Sequence, residues 1–185
     1  MKNTKGQYGY IKKQRKIEIA KTLIILLLCF AIFRMGVYST GTKQNLLTIV
    51  AVLGCLPMAK FAVNVIVFYK AKYCSEALYN ELKEKKLEPL FYDLYFTTLK
   101  KNFQISCLDY KKKNLIMLSE DEKIDIKEGE EHIITVLKNA GYENVSVKIY
   151  TDKDKFIERM AQLKTLSDDE GDFTFLLDNI LSVSI

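Results

Sequence analysis

Two long hydrophobic runs near the amino terminus constrain this chain more than any other feature. The first run extends from Leu23 to Tyr38 and the second from Leu46 to Tyr69, with a short polar stretch between them. A bilayer core about 30 Å thick is crossed by about 20 helical residues. The second run meets that length alone, and the first meets it with the turn that precedes Leu23. We therefore predict a transmembrane helical hairpin over residues 17–70, with spans of about 19–38 and 46–69 and an outer loop at 39–45.

Positive charge is concentrated in the same part of the chain. Residues 1–71 carry eleven Lys and Arg against one acid, Glu18, whereas residues 72–185 carry 17 basic and 22 acidic residues. Lys and Arg flank the cytoplasmic ends of membrane spans. Since the basic residues precede the first run and follow the second, we predict a multi-pass protein of the cytoplasmic membrane with both termini in the cytoplasm. Residues 1–16 form the basic amino-terminal segment of this prediction. The acidic remainder argues against a nucleic-acid partner, which would need a basic folded domain.

Polar and small residues within the runs are candidates for a role beyond anchoring. Arg34 lies late in the first run, where its side chain can reach the outer headgroups. Lys60 lies well inside the second run, three residues after Pro57, and a charge at that depth is costly enough to suggest a function. Two readings are open for Lys60. Its side chain either snorkels towards the inner surface or has a structural role between helices, or it serves a pore or ligand. Small residues that allow close helix packing recur along the second run: Ala51, Gly54, Cys55, Ala59 and Ala62.

Residues 71–185 have the patterns of a small α+β domain. Helical spacing of apolar residues predicts a helix over 71–86 with Ser75 as a possible cap, and further helices over 129–140 and 153–165, the last capped by Asp152. Alternating or apolar runs predict strands over 91–99, 103–110, 115–118 and 145–150. The order is α-β-β-β-α-β-α, with short turns that make the first three strands antiparallel and hence a mainly antiparallel sheet. The segment 172–185 is compatible with either a helix or a strand.

Residues that bind cofactors or metals form no recognisable motif. The four cysteines are widely spaced, which indicates reduced structural thiols, and His132 is the single histidine. The acidic stretches lack the spacing of a calcium loop. We therefore predict no cofactor and no metal.

One arrangement of charged residues resembles the PD-(D/E)xK nuclease scheme. Asp93 is on one predicted strand, and Asp109 is two residues before Lys111 on the next. The resemblance implies two carboxylates that hold a divalent metal and a lysine that helps to activate water. However, Tyr92 stands where the scheme has proline, and Lys111 begins a run of three lysines typical of a solvated hairpin turn.

These observations leave three functions open. The first is a non-enzymatic, membrane-anchored interaction or regulatory module that binds a protein partner or a second copy of itself. The second is a membrane-tethered, metal-dependent hydrolase of nuclease type that uses Asp93, Asp109 and Lys111. The third is a subunit of a small oligomeric channel or transporter that uses Lys60 and a helix bend at Pro57.

Overall fold

The computed structural model describes residues 5–98, 101–166 and 174–185. The chain forms two compact units. One is made of residues 11–71, and the other combines residues 72–185 with the chain up to Tyr10. The short amino-terminal segment is therefore part of the second unit, although 61 residues separate it in sequence from the rest of that unit.

The unit of residues 11–71 contains two long helices. Helix α1 is Tyr10–Thr40 and helix α2 is Leu46–Lys70. Asn45 caps α2, because its side chain accepts a hydrogen bond from the backbone N–H of Thr48. Within the described residues one helix, α2, is both long and apolar enough to cross a membrane by length and composition.

The buried residues of α1 lie along one face of the helix. Ile11, Glu18, Cys29 and Gly36 are buried at intervals of seven, eleven and seven residues, and the remaining apolar residues of α1 face outwards or are partly covered. The Cys29 side chain of α1 packs against the α2 backbone at Gly54, where an added Cβ would lie 2.7 Å from the Cys29 sulfur. The glycine therefore sets the packing distance between α1 and α2 at this level.

The second unit is built on a four-stranded mixed sheet in the order β1-β2-β3-β4. The strands β1 to β3 form an antiparallel meander, and β4 pairs in parallel with β3. The predicted α-β-β-β-α-β-α order is present and is followed by one more helix. The bounds are α3 Glu76–Glu84, β1 Phe91–Phe96, β2 Phe103–Lys111, β3 Asn114–Leu118, α4 Ile126–Asn139, β4 Ser146–Tyr150, α5 Lys153–Lys164 and α6 Thr174–Val183.

Local signals explain where most of these helices begin. The side chain of Ser75 accepts from Leu78 N and that of Asp152 accepts from Asp154 N, so both predicted caps are confirmed. The helix predicted over 71–86 is shorter than expected, because the chain before Ser75 is extended and makes other hydrogen bonds. The ambiguous carboxyl-terminal segment is helical as α6, after which Ser184 forms a bridge with Phe96; residues 172 and 173 lie outside the described part.

Helices cover both faces of the sheet and create two cores. One core packs α4 and α6 against the sheet, with Phe96, Phe103, Ile105, Ile133, Leu137, Leu176 and Ile180 among its buried residues. The other packs α3 and α5 against the opposite face, with Leu78, Leu82, Cys107, Ile116, Phe156 and Met160 among its buried residues. Because the sheet is covered on both faces, its central strand β2 is buried at every position except Lys111.

The strict alternation of faces is interrupted at Asp93. This residue has φ 54°, in the left-handed region that aspartate tolerates better than most residues. Phe91 and Leu94, three residues apart, contact the same core, whereas regular alternation would place them on opposite faces. The paired residues of β2 change faces at the same level, so Cys107 faces the α3–α5 core although Phe103 and Ile105 face the other one. Regular alternation along β2 predicts that these three residues share one face, and the structure shows that they do not.

The turn between β2 and β3 gives a first prediction. Lys112 and Lys113 have φ 47° and 61°, the left-handed pair of a two-residue type I′ turn, which favours Asn-Gly. The double substitution K112N/K113G should raise the free energy of unfolding by about 0.5–1 kcal/mol, because the new residues adopt these angles with less strain. Thermal melting of the full chain in detergent measures the change. K112P should lower stability, since proline cannot adopt a positive φ, and an equal gain from K112P would contradict this explanation.

Candidate functional site

Asp93 is the most unusual side chain in the second unit. It is 0% exposed, on a strand, and has a positive φ. Its Oδ2 accepts from Gly9 N at 2.7 Å and its Oδ1 accepts from Cys74 N at 2.6 Å. Burial raises the pKa of this carboxyl, and the backbone N–H donors of Cys74, Gly9 and Tyr10 partly oppose that shift. Gly9 directly precedes α1 and Cys74 soon follows α2, so one carboxylate fixes both segments that connect the second unit to the helices.

The segment of residues 5–9, here called the strap, covers the outer edge of β1. Gly6 accepts from Tyr92 N at 2.7 Å, and an added Cβ on Gly6 would lie 2.7 Å from Phe91 Cδ1. The carboxyl terminus covers the same edge further along, where Ile185 N donates to Tyr95 O at 2.8 Å. The Lys5 ammonium donates to Ser184 O and joins the two termini. The edge of β1 is thus protected from pairing with another chain.

Three tyrosines hold the strap against α3 and β1. The rings of Tyr8 and Tyr79 are stacked with centroids 3.9 Å apart, and Tyr92 meets both rings edge-on. An open groove of about 270 Å³ adjoins them and is lined by Gly6, Gln7, Tyr8, Tyr79, Lys83, Glu88, Pro89, Leu90 and Tyr92. Aromatic residues with a charged rim are typical of protein contact surfaces.

Asp109 is a second buried carboxyl, at a different place on the sheet. It is 6% exposed on β2, opposite Ile116 of β3. Burial raises its pKa to about 6, while the positive charge of Lys164 and Lys111 and the backbone N–H groups of Tyr110 and Leu90 partly oppose that shift. The carboxyl therefore keeps its proton to a higher pH than an ordinary aspartate does.

The nuclease-type candidates do not converge on one point. Phe91 of β1 pairs with Leu108 and Leu94 pairs with Ile105, so Asp93 lies three residues along the ladder from Asp109. At about 3.3 Å per residue, this is about 10 Å. Both oxygens of Asp93 already accept backbone N–H groups. Among the described residues, no group of three or more His, Cys, Asp and Glu is placed to hold a metal ion. Lys111 ends β2 beside the lysine turn.

The four cysteines are free thiols, and burial makes two of them unreactive. Cys74 and Cys107 are buried in the α3–α5 core, and burial raises the pKa of both thiols. A thiol that stays protonated is a poor nucleophile and a poor metal ligand.

His132 lies partly exposed on α4 with its ring edge-on to Phe103, at a centroid distance of 5.9 Å. The ring contacts of His132 are with Phe96 and Phe103, and neither side chain is a nucleophile.

Two polar features of the helical unit were missed by the sequence analysis. Arg15 donates to the last carbonyls of α2, at 2.9 Å to Phe68 O and 2.8 Å to Ala71 O, and lies over the Tyr69 ring. Glu18 is 3% exposed, bonds to Lys21 at 2.8 Å and accepts from Asn64 at 3.4 Å. Both join α1 to the end of α2. The sequence signal for Glu18 is its isolation as the single acid in residues 1–71.

Arg15 gives a second prediction. A cation that binds the free carbonyls at a helix carboxyl terminus stabilises that end. The substitution Arg15→Ala should lower stability by about 1–3 kcal/mol, because the carbonyls of Phe68, Tyr69 and Ala71, at the end of α2 and just after it, lose a charged donor. Arg15→Lys should recover only part, since an ammonium cannot reach three carbonyls at once. Thermal melting in detergent measures both, with Lys16→Ala, an exposed neighbour on α1, as control. Equal effects of R15A and K16A would contradict the capping role.

The other candidates within α1 and α2 are placed as follows. Lys60 and Arg34 are exposed on α2 and α1. The small residues of α2 differ in burial: Ala51 is buried, Gly54 and Ala62 are partly buried, and Cys55 and Ala59 are exposed. Close contact with α1 is therefore made by the Ala51 and Gly54 side of α2, while the Cys55 and Ala59 side faces outwards.

No protein-family model, curated protein sequence or solved structure matches this chain.

Proposed function

We propose that the chain is a membrane-anchored interaction module, in which α1 and α2 form a transmembrane hairpin that holds an α+β domain at the cytoplasmic surface. The observation that carries the proposal is the apolar outer surface of the two helices. Large side chains exposed there include Leu23, Ile24, Leu27, Leu28 and Phe30 on α1 and Ile49, Val52, Leu53, Leu56 and Ile66 on α2. Exposed apolar surface of this extent indicates a lipid environment or a protein partner.

The arrangement of the chain supports an anchor whose two ends are on one side. The strap before α1 and the residues after α2 both bind Asp93 of the same folded unit. Two helices that leave and re-enter one domain must begin and end on its side of the bilayer. The basic flanks favour the cytoplasmic side. In this proposal Lys60 reaches towards the inner surface and Arg34 towards the outer one.

A binding role is favoured because the buried ionisable groups of the domain have structural partners. Asp93 binds backbone N–H groups, and Cys74 and Cys107 lie in a core. We propose that a protein partner binds the groove beside Tyr8, Tyr79 and Tyr92, here called the tyrosine groove. In it Tyr79, Leu90 and Tyr92 are at least partly exposed, and the charged residues Lys83 and Glu88 also line it. Aromatic side chains carry much of the binding energy of protein interfaces.

Site-specific cross-linking tests the proposal. A photo-reactive amino acid at position 83, on the rim of the groove, should capture a discrete partner or a second copy in cells. The matched control places the same group at the exposed position 158 of α5, outside the groove. Discrete products at position 83 alone would support the groove as the contact surface. Equal products at both positions, or a strictly monomeric protein with none, would contradict the interaction role.

A further inference from the structure

Four exposed lysines lie at one end of the helical unit. Lys12, Lys13 and Lys16 lie on the first turns of α1, and Lys70 ends α2. Arg15 holds these two regions together, because its guanidinium binds the carbonyls of Phe68 and Ala71. We call the four lysines the basic collar.

Acidic residues of the same unit do not offset this charge. Glu18 is the single acid in residues 11–71. It is 3% exposed, and its carboxylate is bonded to Lys21, Gln14 and Asn64. Lys12 and Lys16 are four residues apart on one helix, a spacing at which like charges repel. The repulsion between these lysines destabilises α1, and an anion bound at the collar would relieve that repulsion.

The surface next to the collar indicates what kind of anion fits. Ile17, Ile19 and Leu23 follow Lys16 and are all exposed. On α2, Ile66 is exposed and Tyr69 is 72% exposed beside Arg15. A ligand with an anionic head and an apolar tail would cover both the lysines and this surface, whereas free phosphate would cover the lysines alone.

We propose that the basic collar binds the phosphate headgroups of anionic phospholipids. The inference rests on the proposed membrane anchor and adds a lipid preference to it. The domain carries the opposite charge, with 22 acids against 17 basic residues in positions 72–185, so it does not share this preference. The collar would attract anionic lipid to the hairpin, since each lysine near an anionic surface adds to the attraction.

A lipid titration of the full-length protein tests the collar. Protein in neutral detergent is titrated with short-chain phosphatidylglycerol, phosphatidylcholine or inorganic phosphate, and the melting temperature is recorded. We expect phosphatidylglycerol to raise the melting temperature at concentrations where the other two have no effect. The variant K12Q/K13Q/K16Q should need at least about tenfold more phosphatidylglycerol, and K12R/K13R/K16R should respond like the native chain.

A matched variant separates the collar from net charge. K111Q/K112Q/K113Q removes the same number of lysines from the β2–β3 turn and should leave the titration unchanged. An equal response to phosphatidylcholine, an equal response to free phosphate, or an equal loss in both triple variants would overturn the proposal. Alkaline washing of membranes from cells tests the anchor separately. Protein that stays in the membrane without preferring phosphatidylglycerol refutes the collar alone, and protein that is released refutes the anchor.

Discussion

Replacing Asp93 with alanine should destabilise the protein by about 3–5 kcal/mol, the largest effect we expect from one substitution. The change leaves Gly9 N–H and Cys74 N–H without their buried acceptor, and each hydrogen bond to a charged group contributes about 1.5–3 kcal/mol. It also places an alanine at φ 54°, which costs about 1 kcal/mol more. The midpoint of thermal or denaturant unfolding of the full chain in detergent measures the loss.

Two further substitutions at this position separate the causes. Asp93→Gly removes the strain but not the loss of the acceptor, so it should be milder than alanine by about 1 kcal/mol. Asp93→Asn keeps one acceptor oxygen and tolerates the positive φ, so it should be the mildest. Amide hydrogen exchange should accelerate at Gly9, Cys74 and Tyr92 in all three. An alanine variant with native stability and native exchange at these amides would contradict the role of Asp93.

Replacing Asp109 with asparagine should stabilise the protein at pH 7 by about 1–3 kcal/mol. Its pKa of about 6 in the folded protein is above that of an ordinary aspartate, about 3.9. Between those values the folded state binds more protons than the unfolded state, so stability falls as the pH rises from about 4 to 6 and is level above that. The Asp109→Asn variant has no carboxyl at this position. The difference in melting temperature between the native chain and the variant across the pH range therefore measures the contribution of the Asp109 carboxyl to stability.

Asp121 provides the control with the opposite sign. The Lys72 ammonium, 2.9 Å away, lowers the pKa of this carboxyl. Its contribution is present above the unfolded pKa and is lost as the pH falls through the folded one. Asp121→Asn should therefore destabilise slightly at pH 7, by at most about 1 kcal/mol because the pair is partly exposed. A native pH profile in D109N, or a loss of stability at pH 7, would contradict our account of Asp109.

The sequence was sufficient for the features that depend on neighbouring residues. Ser75 and Asp152 cap their helices by accepting from backbone N–H groups three or fewer residues further along the chain. The spacing of apolar residues in α5 likewise identifies the face that is buried. Turns of a few residues determine the antiparallel pairing of β1, β2 and β3. These interactions are local, so the pattern of a short window contains the information.

The sequence was insufficient for contacts between distant residues. The Asp93 carboxylate meets Gly9, 84 positions away, and Arg15 meets Phe68, 53 positions away. The same aspartate was a candidate metal ligand in the sequence, because a carboxylate on a strand gives no sign of its partners. Beside its positive φ the alternation of both β1 and β2 changes faces, which periodicity alone does not predict. The glycines around Tyr8 were the available signal for the strap.

The position of the helices relative to a membrane is tested most directly by cysteine labelling in intact cells. Two variants in a Cys55→Ala background are compared: Thr42→Cys in the loop between α1 and α2, and Thr97→Cys at an exposed position after β1. A membrane-impermeant maleimide should label position 42 in intact cells and position 97 only after the membrane is permeabilised. Labelling of position 97 in intact cells, or protection of position 42, would contradict a hairpin anchor with a cytoplasmic domain.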